Sequence, residues 1–180
     1  MPENLASQQQ SAKHLAARAV MAYRAGFPVA TLLSVTSSGE HPSGIVCDWK
    51  SHRGPFHNDA KLLARAFAFV YVGSIVDQAI SDPISDELRK ELVSDMSSAL
   101  EARQTAVDWG VAKAVRDTNP YAHTGYKLAS RLLRMDQPLI ESLARELMSQ
   151  GTIEGDALRT WLDANASPLN FDELETSITY

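Results

Sequence analysis

Along most of this chain apolar residues recur every three or four positions, the spacing of a helix buried on one side, and only short stretches break that rhythm. Over Ser11–Ala25, Leu15, Ala16, Ala19, Val20 and Tyr23 recur at helical spacing, and Gly26 with Pro28 stops the run, so the pattern predicts a first helix. Val29–Thr36 and Gly44–Trp49 are shorter, rich in strand-forming or apolar residues, and separated by Ser37-Ser38-Gly39; they predict two strands of a small sheet or hairpin. Ser51–Asp59 has the Gly, Pro, His and Asn of a loop. In the apolar segment Ala60–Ile80, residues Phe67, Phe69, Val70, Val72, Ile75 and Val76 cover nearly the whole circumference of a helix, which predicts the central buried element.

After Ser81-Asp82-Pro83, the segment Asp86–Val115 sets Leu88, Leu92, Met96, Leu100 and Val107 among charged residues and predicts one or two amphipathic helices. Asn119-Pro120 interrupts. Ala122–Arg134 then reads as a helix ended by Asp136-Gln137-Pro138, Leu139–Ser149 as another, and Asp156–Asn165 as a last short one. Residues 1–10, with a run of glutamines and no apolar period, are expected to form a disordered leader, and residues 166–180 a C-terminal tail that is either disordered or a peptide that binds something. The expected architecture is therefore one mainly α domain over 11–165, with one small β-sheet or hairpin after the first helix.

Composition narrows the classes. With 180 residues, 44% hydrophobic and 22% charged, the chain has the profile of a soluble globular domain with a sizeable core. A net charge of −5 with scattered Lys and Arg argues against nucleic acid as a partner. Cys47 is the single cysteine, which rules out an internal disulfide and a thiolate zinc site and fits a reducing, cytoplasmic compartment. The longest apolar stretch, Ala66–Val76, is about half the ~20 residues a membrane-crossing helix needs, and Met1–Gln10 has no signal-peptide core.

Chemistry concentrates in His14-Leu15-Ala16-Ala17-Arg18, on the first predicted helix. His14 and Arg18 are four apart and share one face, the spacing by which a helix offers two ligands to one zinc ion in a His-Glu-x-x-His protease motif. Here Leu15 cannot serve as a general base, and Arg18 is a permanent cation that repels a metal. A lone helical histidine is ordinarily structural, so the pentapeptide by itself assigns nothing. The order of later segments adds to it: Val29–Val35 and Gly44–Trp49, then Ala66–Ile80 (AFAFVYVGSIVDQAI), Ser94–Arg103 (SDMSSALEAR), Tyr126–Leu133 (YKLASRLL), Leu139–Leu147 (LIESLAREL) and Thr152–Leu162 (TIEGDALRTWL). Together with HLAARAV at His14–Val20, this order resembles the peptidase domain of the FtsH family of ATP-dependent zinc metalloproteases, over about Ser11 to Ala164. The resemblance rests on order and pattern more than on identity. It implies an FtsH peptidase-domain-like helical fold, a zinc-binding first helix, and Asp95 at the position of the third zinc ligand.

The departures from that pattern decide the expected function. Of the site implied by the resemblance, His14 and Asp95 remain, the base position is Leu15 and the second ligand position is Arg18, so no catalytic residue and no bound metal or other cofactor are expected. No Gly-x-x-x-x-Gly-Lys-Ser/Thr loop is present, and ATP hydrolysis by that route is excluded. The expectation is a catalytically inactive protease-like domain that works by binding a protein or peptide, with an Arg18–Asp95 ion pair spanning the former zinc site and His14 neutral beside it. Two alternatives stay open. One is a zinc-dependent metallopeptidase with a rebuilt site, using His14, Asp95 and a further ligand from His41, His52, His57 or His123. The other is an accessory subunit of an FtsH-type protease, or a homo-oligomer, since that family works as rings. His52, His57 and Asp59 together read as a solvated loop, and Cys47 as a structural thiol.

Overall fold

A computed structural model describes residues 2–28, 32–34, 49–52, 59–78, 86–167 and 171–176, and these are mainly helical. Helix α1, Pro2–Ala25, is rich in alanine, the best helix former, and closes on Gly26 with a φ of 76° that only glycine adopts without strain. It begins well before Ser11, so residues 2–10 are not the loose leader expected from their lack of an apolar period. Once a helix is nucleated, residues such as Gln and Ala extend it without needing an apolar face of their own. From His14 to Ala22 every residue is buried, which makes α1 as central as α2, Asp59–Gln78, where residues 62–70 are buried without a break. Helix α3, Asp86–Asp108, is a single helix ended at Gly110, with a φ of 71°.

Helix α4 runs from Asn119 to Gln150, straight through Pro138. The sequence reading split this region at Asp136-Gln137-Pro138, and that division is wrong. Pro138 removes one helical hydrogen bond and crowds the preceding turn, at a cost of about 3 kcal/mol. Against it, Leu132, Asp136, Ile140, Leu143 and Leu147 stay in phase on one buried face through the proline, and each apolar side chain contributes about 1.5–3 kcal/mol by burial. Packing therefore outweighs the local breaker, and Pro138 itself faces solvent. Pro120 begins this helix rather than interrupting it, since the first turn has no N–H partner to lose.

Two three-residue strands, β1 at Leu32–Ser34 and β2 at Thr152–Glu154, pair antiparallel with Leu33 opposite Ile153. The expected hairpin partner was Gly44–Trp49. The partner observed for β1 instead lies between α4 and α5, Gly155–Asn165, and Trp49 opens a 3-10 turn, Trp49–His52, whose indole meets Trp109 edge-on at 5.7 Å. Residues 44–48 lie outside the described residues. The expected tail is partly structured as well: α6, Phe171–Thr176, buries Phe171 and Leu174 in the common core, which also holds Phe67, Phe69, Val70, Val72, Leu132, Leu143 and Leu147. Among the described residues no helix is long and apolar enough to cross a membrane.

Two glycines set how closely the helices approach. A Cβ on Gly125 of α4 would stand 2.5 Å from Phe67 Cβ and 2.8 Å from the Ala64 carbonyl, so α4 lies directly on the backbone of α2 there. A Cβ on Gly73 of α2 would stand 2.4 Å from the His14 ring, and its absence lets that imidazole from α1 lie against α2.

Candidate functional site

At that crossing, three helices bring together the polar side chains buried in the heart of the molecule. Helix α1 presents His14 and Arg18 one turn apart, α2 presents Ser74 and Asp77 beside Gly73, and α3 presents Asp95. His14 Nδ1 lies 2.7 Å from Asp77 Oδ2, with 1% and 3% of the two side chains exposed. A carboxylate can only accept, so this nitrogen carries a hydrogen and donates a hydrogen bond to Asp77. The opposite nitrogen, Nε2, faces Asp95 with 3.8 Å between it and Oδ2. Arg18 Nη1 donates to the other carboxylate oxygen, Asp95 Oδ1, at 3.0 Å, and Ser74 Oγ donates to Oδ2 at 3.1 Å. The Arg18 guanidinium also lies 4.5 Å above the Phe69 ring, a cation–π contact made out of water.

The electrostatics are those of a crowded interior. Burial pushes the Asp95 carboxyl above its ordinary value, and the Arg18 guanidinium, the His14 ring and the Ser74 hydroxyl pull it back only in part; the nearby Asp77 carboxylate adds to the rise. Arg18 cannot escape by losing its proton, so it remains the fixed positive charge of the cluster.

His14, Arg18 and Asp95 are thus in contact or near contact, while Leu15, also buried, points its aliphatic side chain into the core and offers no proton acceptor. The sequence reading did not single out Asp77, Ser74 or Gly73. The available signal was their spacing, since Gly73 and Asp77 are four apart and fall on one face of a helix that is otherwise apolar. His123 lies on the exposed face of α4. His41, His57 and Cys47 lie outside the described residues, and His52 is placed only as the last residue of its 3-10 turn.

The donor set does not fit zinc. A zinc site needs three protein donors around an open position, whereas here the second ligand position holds a guanidinium that donates to one of the Asp95 oxygens. Among the described residues no group of three or more His, Cys, Asp or Glu side chains is disposed to hold a metal ion. Comparison with protein-family models, curated proteins and solved structures found no match to this chain. The cluster ties α1 to α2 and α3 by charge-assisted hydrogen bonds and keeps one imidazole oriented by a carboxylate.

Proposed function

We propose that this chain is an FtsH-type peptidase domain that has lost catalysis and acts by binding a protein or peptide. The observation supporting this reading is the buried Arg18–Asp95 pair, 3.0 Å long, at the two positions where the resemblance expects zinc ligands. Activation of water by a metal requires an open coordination position and a base to accept the water's proton. Arg18 stands at the second ligand position, where a guanidinium cannot hold the metal that would offer that open position, and Leu15 cannot act as the base. What remains is a rigid helical body with two large apolar side chains turned outward on α3: Met96 is 73% exposed and Leu100, one turn on, 62%. Exposed apolar residues at helical spacing suit recognition of another chain better than catalysis.

The test is a fluorescent unfolded substrate such as labelled casein, incubated with the purified chain with and without added zinc. The expected result is binding without cleavage. Cleavage that a chelator abolishes and zinc restores would overturn the proposal.

A further inference from the structure

The 171–176 segment is six residues long, too short to hold a helix by itself, and takes its helicity from what it docks against. Its contacts are those of a peptide in a groove. Phe171 and Leu174, three apart, are buried, while Asp172 between them stays 70% exposed at its side chain and points back to the body. There Arg65 Nη2 donates to Asp172 Oδ1 at 2.6 Å, Lys61 Nζ lies 3.7 Å from the same oxygen, and the Arg65 guanidinium lies 4.9 Å from the centroid of the Phe171 ring.

The receiving side is held by the body and not by the segment. Arg65 is buried on α2, and its Nη1 donates at 3.1 Å to the carbonyl of Ala25, at the end of α1, where helical carbonyls lack intrahelical partners and a cation is favoured. The arginine that reads the acidic residue thus has an anchor on the body that is independent of the segment. A preorganised cation beside an apolar slot, filled by a short helical turn, is the arrangement of helix-in-groove recognition.

Resting on the binding reading above, we infer that the face around Arg65 is a recognition groove for a short helical segment of a partner protein carrying an aromatic residue, an acidic residue next to it and a leucine three positions after the aromatic. Phe171-Asp172-Glu173-Leu174 fills that groove in cis, and a partner binds by displacing it. The cis segment is six residues long, and its Asp172 carboxylate, paired with Arg65 and Lys61, stays open to solvent and so to competition from a partner's acidic residue.

The experiment titrates a labelled peptide of residues 167–176 into the full-length wild-type chain and into the full chain carrying Phe171→Ala and Leu174→Ala. Opening the groove raises the binding-competent fraction, so the variant should bind the peptide at least about tenfold more tightly. The same peptide with Asp172→Arg should bind the variant at least about fivefold more weakly, the scale of one exposed ion pair. If the double variant does not melt cooperatively, Asp172→Arg in the full chain serves instead: it leaves the apolar residues in place and opens the groove by repulsion from Arg65 and Lys61. A folded variant that binds no better than wild type, or that does not distinguish the two peptides, overturns the inference. So does a wild-type dimer that dissociates on Phe171→Ala, which would assign the groove to a second copy. Mass spectrometry of the incubated peptide keeps the two ideas apart, since cleavage would sink the non-catalytic reading and leave the groove standing.

Discussion

Helix α1 carries two arginines that each meet an aspartate on another helix, and the two meetings are built differently. Arg24 makes a complete fork with Asp136 of α4, Nε and Nη2 donating to the two oxygens at 2.7 and 2.8 Å, while its Nη1 holds the Ser167 carbonyl at 2.8 Å. Among the described residues no third charged side chain pairs with Arg24 or Asp136, and the geometry is that of a clamp fastening the end of α1 to α4. Arg18 makes one hydrogen bond to an aspartate that also faces a histidine and a serine and lies near a second aspartate. A clamp needs one cation and one carboxylate in register. The second carboxylate and the oriented imidazole at the Arg18 site exceed that need.

The comparison breaks most sharply if either arginine is removed. Arg18→Ala strands Asp95, whose side chain is 2% exposed, and should cost about 3–5 kcal/mol, whereas Arg24→Ala leaves Asp136, at 11%, better able to reach water and should cost about 2–3 kcal/mol, both read from chemical denaturation at neutral pH. Equal losses would mean that the two sites are clamps of one kind. Next in size is Gly73→Ala, which drives a methyl group into the His14 ring and should destabilise by about 1–3 kcal/mol. A variant as stable as wild type would show that α1 and α2 are not in close contact there.

The smallest effect lies in the pH dependence. Because burial raises the Asp95 carboxyl, the folded chain holds that proton more tightly than the unfolded one. The stability this contributes is complete below the ordinary carboxylate value of about 3.9 and is lost as pH rises through the raised value. Asp95→Asn cannot titrate and should be free of that loss. Thermal midpoints of variant and wild type should therefore shift relative to each other in the variant's favour between about pH 4 and pH 7. A shift in wild type's favour would mean that Arg18 outweighs burial and that the pair is a net stabiliser. The deficit of Arg18→Ala should shrink over the same range toward acid, where Asp95 takes up a proton instead of remaining stranded.

Much of this arrangement is legible in the sequence one element at a time. His14 and Arg18 share a face because a helix places residues four apart together, and Gly26 ends that helix because it takes up a left-handed φ cheaply. Phe67, Phe69, Val70 and Val72 are buried, as the all-round apolar pattern of α2 predicts. The misreadings share one cause. Local chemistry alone makes Pro138 a breaker and the glutamine run a loose leader, and each is helical because of what it packs against or follows. The partner of β1 was sought nearby in the chain, and it came from beyond α4.

For the site, the chain alone determined which residues were available and how each helix would present them: a histidine and an arginine one turn apart, no base at Leu15, a glycine and an aspartate one turn apart on an apolar helix. Periodicity and backbone sterics act over a few residues, and those are the facts they reach. Only the tertiary structure decided that Asp77 would take the His14 ring, that Ser74 would join Arg18 on Asp95, and that Phe171 would fold back over Arg65. Those contacts join segments far apart in sequence, and burial and charge choose among them only once the helices have closed on one another.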